Sequence, residues 1–258
     1  MIRILLASSA IALSACAVGL RATPAAPPPI GLGPQPTGLA GYLDKAALQG
    51  RIILAPPPAP GSAHDRADHA LYDETRALEG SARWRMAIQD NDLWRGGALK
   101  RYACALGKDL SQAATPATTR LLQRIELDGR TVGTPPKDFW GRQRPALGND
   151  KPVCIPREDW MRTNASYPSG HALTAWAWAL VLTEIAPGQA DALLKVGRES
   201  GESRAICGVH FVSDVEAGRT LGAAMVARQH AEPAFQADLV AAKAEIAAAK
   251  GKPAECGG

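Results

Sequence analysis

Three short stretches of this sequence concentrate residues able to do chemistry. In the first, Ser203-Arg204 is followed by His210 and Asp214. A histidine and an aspartate four apart at a helix start can meet. The carboxylate then fixes one ring nitrogen and leaves the other free as a nucleophile. The second stretch, Pro168-Ser169-Gly170-His171, stands immediately before an apolar run at 172–186. A helix starting there would aim unpartnered N–H groups and its positive dipole end at an anion. Gly170 lets backbone approach a ligand, Ser169 adds a hydroxyl, and His171 falls in the first turn. In the third, Lys137 and Arg144 are seven positions apart, two turns of one helix face, and Pro145 closes that helix beside Arg144. Each stretch alone has an ordinary reading: a surface His–Asp pair, a helix cap, a solvated basic stripe.

The elements that must carry these residues read as helices. The pattern predicts helices near 63–78, 83–90, 97–107, 116–130, 135–143, 172–186, 189–200, 212–229 and 233–250, with little strand-like alternation. In the helix at 63–78 the apolar positions are Ala67, Ala70, Leu71 and Leu78. Thr134-Pro135-Pro136 suits the start of a helix, because proline is tolerated in the first turn. The run at 172–186 is too short to span a membrane and reads as a core helix. The chain has 258 residues, 46% of them hydrophobic and 21% charged, which excludes a disordered chain and a multi-span membrane protein. The expected fold is a single compact all-α domain over residues 41–258.

The start of the chain reads as an export signal: Arg3, an apolar run from Ile4 to Leu13, then small residues. Leu13-Ser14-Ala15-Cys16 resembles a bacterial lipobox, which would make 1–15 the signal and Cys16 the lipidated mature N-terminus. Residues 16–40 then form a proline-rich tether, and a second proline group lies at 56–60. The alternatives are cleavage further on or an uncleaved anchor. Export would place the other four cysteines, Cys104, Cys154, Cys207 and Cys256, in an oxidising compartment. There they can form two disulfides in three connectivities, or stay as buried thiols. The cysteine spacing contains no zinc motif. The group His64, Asp65, Asp68 and His69 reads as a solvated helix start rather than a metal site. A net charge of +4, spread out and without an aromatic platform, argues against nucleic acid as a partner.

Taken in order, the three stretches match Lys-x6-Arg-Pro, Pro-Ser-Gly-His and Ser-Arg-x5-His-x3-Asp. The chain thereby resembles the type 2 phosphatidic acid phosphatase superfamily, and within it the class A bacterial non-specific acid phosphatases. Ser166-Tyr167-Pro168-Ser169-Gly170-His171, Arg204–His210 and Ser213–Arg219 carry the finer likeness, which runs from about Tyr42 to His230. Two departures are Asn164-Ala165, where the class usually has glycine, and Ala172, where it usually has threonine. Neither is expected to take part in the chemistry.

The resemblance implies a metal-independent phosphatase acting on small phosphomonoesters; many members of the class are periplasmic, and the lipobox, less typical of them, would instead hold this one at the outer membrane. His210 would attack phosphorus, Asp214 would orient it, and His171 would serve as general acid. Lys137, Arg144, Arg204, Ser169 and Gly170 would bind the phosphate, because catalysis of phosphoryl transfer needs donors preorganised around its charge. No cofactor is implied, vanadate is expected to inhibit, and a homodimer and phosphotransfer to other alcohols also follow from the likeness. Rival readings are a lipid or pyrophosphate phosphatase, a vanadate-dependent haloperoxidase and a non-catalytic envelope lipoprotein.

Overall fold

The computed structural model describes residues 38–251 apart from residue 96, together with residues 253 and 256. The expected signal peptide, Cys16 and nearly all of the 16–40 tether lie outside the described residues. Those described form ten α-helices: α1 (Gly50–Ile53), α2 (Ala63–Arg76), α3 (Ala82–Gln89), α4 (Ala98–Leu106), α5 (Pro116–Trp140), α6 (Trp160–Thr163), α7 (Gly170–Ile185), α8 (Ala190–Ile206), α9 (Val212–Gln229) and α10 (Pro233–Ala248). No strand occurs among them.

Local chemistry sets the starts of these helices. The Ser62 hydroxyl accepts from the Asp65 N–H to open α2, and the Ser81 hydroxyl accepts from the Trp84 N–H to open α3. Pro116 and Pro233 occupy first-turn positions, where a missing N–H costs nothing. The apolar helix α7 is the centre of the molecule, with Leu173, Trp178 and Leu182 fully buried. It packs chiefly against α8 and α9, and also against α5.

Small residues let these backbones close on one another, which is how a chain only 5% aromatic fills its core. A Cβ placed on Gly218 of α9 would lie 2.4 Å from the Ser169 carbonyl oxygen, and one on Gly222 would lie 2.6 Å from that of Leu173. The backbone of α9 therefore rests on the first turn of α7, and the Ser169 N–H donates to the Asp214 carbonyl at 2.9 Å. That contact fixes the start of α7, and with it Gly170 and His171.

Two sequence expectations change. Residues 116–140 form one helix that runs through Pro135 and Pro136, rather than two helices meeting there. The two missing N–H bonds fall in its last turns, and Pro136 is buried against Gly50 of α1. The helix stops at Trp140, where Gly141 takes a left-handed conformation with φ +57°. Arg144 is therefore not on the helix face of Lys137; it lies on the extended segment that follows. In α2 the buried stripe is Asp68, Tyr72 and Arg76, while Ala67, Ala70 and Leu71 face outward. The stripe is polar because it packs under backbone and charged groups of the 142–152 and 205–213 segments. Arg76 donates to the carbonyls of Pro152, Ala205 and Ile206.

Candidate active site

Lys137, Arg144, Gly170, His171, Arg204 and His210 line one cavity of about 310 Å³, together with Asn91, Asn164 and a wall of α5. Three cations and both histidines of the sequence motifs thus share one space, supplied by α5, the segment after it, α7, α8 and the turn before α9. Among the predicted phosphate-binding residues, Ser169 stands apart. It is fully buried as the cap of α7, its hydroxyl 3.4 Å from the Ala172 N–H, and it does not line the cavity. Gly170 does line it, and a Cβ there would meet open space.

The cations are held by carbonyl oxygens rather than by carboxylates, so their charge remains available to a ligand. Lys137 Nζ donates to the Ala165 carbonyl at 2.5 Å. Burial, reinforced by Arg144, pushes its pKa down to about 7. Arg144 donates from Nε to the Asn164 carbonyl and from Nη1 to the Val209 carbonyl, each at 2.8 Å, and from Nη2 to Asn164 Oδ1 at 3.0 Å. Burial takes its pKa down to about 10. Arg204 Nη1 donates to Asn91 Oδ1 at 2.8 Å, and its buried Nε has no hydrogen-bond partner among the described residues. Burial and Arg144 bring its pKa to about 9, with Asp90 opposing. Concentrated buried positive charge of this kind calls for an anion.

The same field acts on the two histidines. His171 and His210 both have pKa values well below the ordinary histidine range. Burial is the first cause for each; Arg204 adds most for His171, and Arg144 with Lys137 for His210. Hydrogen-bond partners fix the tautomers. His210 Nε2 lies 3.0 Å from Arg144 Nη1, which can only donate, so Nε2 accepts and the proton sits on Nδ1. His171 Nε2 lies 3.0 Å from the Asn91 carbonyl oxygen, which can only accept, so Nε2 carries its proton.

The expected His210–Asp214 contact differs in its detail. Asp214 Oδ2 comes within 3.5 Å of His210 Nδ1, but its hydrogen bonds go to the Ser166 hydroxyl at 2.5 Å and the Phe211 N–H at 2.8 Å. Ser166 Oγ stands 3.3 Å from His210 Nδ1. The other carboxylate oxygen accepts from Arg142 Nη1 at 2.7 Å, and Arg142 Nη2 reaches Asp68 Oδ2 at 2.8 Å.

Sequence reasoning missed Asn91, Arg142 and Asp68, and passed over Ser166 within its own motif. Asp68 belongs to the group read as a solvated helix start; it is in fact buried, while His64 and His69 are exposed. Asn164, set aside as a departure, holds Arg144 through two oxygens. No cluster of potential metal ligands occurs among the described residues. The four cysteines pair as Cys104–Cys256 and Cys154–Cys207, the latter closing the turn that precedes His210.

Comparison with known proteins gives consistent matches. A family model described as PAP2 superfamily matches residues 117–231, which contain the three motifs. An acid phosphatase of Zymomonas mobilis is 37% identical over 201 residues, 77% of this chain and 76% of its own. A non-specific acid phosphatase of Providencia stuartii is 37% identical over 206 residues, covering 79% and 83%. One from Salmonella typhimurium is 34% identical over 202 residues, covering 78% and 81%.

Proposed function

Because the chain belongs to the PAP2 superfamily, among its acid phosphatases, we propose that it cleaves phosphomonoesters without a metal, through a phosphohistidine at His210 Nε2. One observation carries this reading. Lys137, Arg144 and Arg204 converge on the cavity where a neutral His210 presents an unprotonated Nε2. The phosphoryl group would occupy the space between the cations and the N-terminus of α7, drawing Arg144 from the ring onto its own oxygens. Nε2 then forms a bond to phosphorus as the P–O bond of the ester breaks.

The leaving alkoxide needs a proton, and His171 lines the same cavity. Its Nε2–H is committed to Asn91, so Nδ1 is the atom that exchanges protons with substrate. A bound phosphate offsets the cations that hold this ring neutral, which lets Nδ1 carry the proton it gives away. In the second step His171 Nδ1 takes a proton from water, the water oxygen attacks phosphorus, and the P–N bond breaks to release phosphate. An alcohol in place of that water would give phosphotransfer. Vanadate, which adopts the five-coordinate shape of the transition state, should inhibit competitively.

The decisive experiment is rapid quench of enzyme with a labelled phosphomonoester into alkali, where phosphohistidine survives. Label on wild type, none on His210→Ala, and full activity in EDTA are expected. Label on serine or cysteine, or activity lost with chelator, would refute the mechanism. Export is proposed on separate grounds: the signal-like start and two disulfides across 53 and 152 residues, which persist in oxidising compartments. No described helix is long and apolar enough to cross a membrane. Attachment through Cys16 is tested by the fractionation of a Cys16→Ala protein, which should leave the membrane.

A further inference from the structure

We propose that Asn91 is a further catalytic residue: its side-chain amide nitrogen donates to an oxygen of the transferring phosphoryl group, between Arg204 and His171. The proposal rests on the cavity binding a phosphoryl group, and it adds a donor that none of the three sequence motifs contains.

Asn91 sits in the turn after α3, and two neighbouring pairs of residues tie that turn to α8. Asp90 accepts from the Ser203 hydroxyl at 2.6 Å, and also from Arg101 Nη1 of α4 at 2.9 Å. Beside that pair, Arg204 Nη1 donates to Asn91 Oδ1 at 2.8 Å. The backbone carbonyl of Asn91 accepts from His171 Nε2 at 3.0 Å. One residue thus touches both a phosphate-binding cation and the candidate general acid. A guanidinium can only donate, so the arm of the amide that faces Arg204 is its oxygen, and the NH2 arm points elsewhere. That nitrogen makes no hydrogen bond to any described residue, and it is not among the buried atoms left without a partner. It is therefore accessible, on a residue only 8% exposed that lines the cavity. The space open to it is the cavity itself.

The chemistry gives a neutral donor a place here. In the transition state, charge spreads over the three equatorial oxygens of phosphorus, and donors fixed in advance around those oxygens lower the barrier. Lys137, Arg144 and Arg204 supply positive charge from the cavity wall. His171 must carry a proton before it can give one to the alkoxide, and Arg204 already opposes that protonation. A fourth cation between Arg204 and His171 would oppose it further, whereas an amide donates a hydrogen bond and adds no charge. A carboxylate at the same position would accept where a donor is needed and would repel the phosphoryl oxygens. Asparagine is thus suited to both of its contacts: its oxygen holds the guanidinium without cancelling its charge, and its nitrogen adds to the cradle.

The test follows the Asn91 side-chain amide by NMR as orthovanadate is added to the wild-type protein. Its protons should shift downfield and exchange more slowly with water as vanadate competes with substrate. Vanadate bound with the Asn91 amide unmoved would overturn the proposal and leave the phosphate site standing. No vanadate binding would overturn the site and the proposal together. Kinetics at neutral pH supply the second readout. In Asn91→Ala, kcat/KM should fall about a hundredfold, chiefly through kcat, because the lost bond is strongest in the transition state. Asn91→Asp keeps the acceptor for Arg204 but turns a carboxylate oxygen to the phosphoryl group, and it should fall further. A residue that only holds Arg204 would give the opposite order, with Asn91→Asp more active than Asn91→Ala, and that order would overturn the proposal. If the alanine protein does not accumulate, near wild-type kcat/KM in Asn91→Asp would do the same. Alkaline quench run alongside separates the claims: wild type without phosphohistidine, its Asn91 amide still shifted by vanadate, overturns the nucleophile and leaves the donor in place.

Discussion

Arg142 and Asp214 form a buried ion pair at 2.7 Å directly behind the candidate nucleophile, and the same guanidinium reaches Asp68 at 2.8 Å. Burial alone would lower the pKa of Arg142, yet the two carboxylates raise it. Removing the guanidinium leaves two buried carboxylates without their countercharge, which costs about 3–5 kcal/mol. Arg142→Met should therefore lose roughly that much stability in urea titrations, together with most of its kcat. Arg142→Lys should fall between, because one ammonium cannot fork to two carboxylates as a guanidinium does. Wild-type stability in Arg142→Met would count against a structural role for the pair.

Lys137 should set the alkaline side of activity. Its pKa is depressed from the ordinary lysine value to about 7, so its charge is complete below that pH and lost above it. Substrate binding to the empty site should weaken above pH 7, with kcat/KM falling about tenfold per pH unit once the amine is neutral. Lys137→Arg keeps a cation there and should carry the alkaline limb upward. Lys137→Met should be poor at all pH values and lack that limb. A limb unchanged in both variants would place the titrating group elsewhere.

The two disulfides should separate stability from catalysis. Cys154–Cys207 spans 53 residues and Cys104–Cys256 spans 152, so each should contribute about 2–5 kcal/mol by restricting the unfolded chain. Only the first borders the site. Cys207 lies three residues before His210, and the Cys154 N–H donates to its carbonyl at 3.0 Å. Replacing Cys154 and Cys207 by serine should lower kcat about ten- to a hundredfold through loss of alignment, beyond the stability loss. Replacing Cys104 and Cys256 should lower the melting temperature and leave kcat near wild type.

The pattern of what the sequence revealed follows from the physics of each feature. The helices were legible because apolar spacing and caps are local: α9 lies at Val212–Gln229, where periodicity put it. The cavity residues were legible because three motifs, each ordinary alone, together resemble the signature of a phosphatase superfamily. The continuous α5 was not, since a proline pair ordinarily starts a helix, and only packing against Gly50 shows why this one is tolerated inside. Asp68 and Arg142 were hidden for a different reason. Charges on a helix or loop normally face water, and nothing local says that Asp68 at position 68 meets Arg142 across 74 residues. The polar inward stripe Asp68–Tyr72–Arg76 was the available signal, a four-residue spacing that an apolar count passes over.

The contact of α9 on α7 links packing to the site most directly. A Cβ at Gly218 would lie 2.4 Å from the Ser169 carbonyl oxygen, which is backbone and cannot swing aside. Gly218→Ala must therefore push the start of α7, moving Gly170 and His171 relative to Arg204 and His210. Overpacking of this kind costs about 1–3 kcal/mol, and a displacement near 1 Å costs up to about a hundredfold in rate. Gly222→Ala is the matched control: its Cβ would meet the Leu173 carbonyl at 2.6 Å, one turn further from the cavity. Both variants should melt earlier by similar amounts in urea, and Gly218→Ala should lose far more kcat and vanadate affinity. Equal kcat losses would show that the first turn of α7 is not held in register by α9.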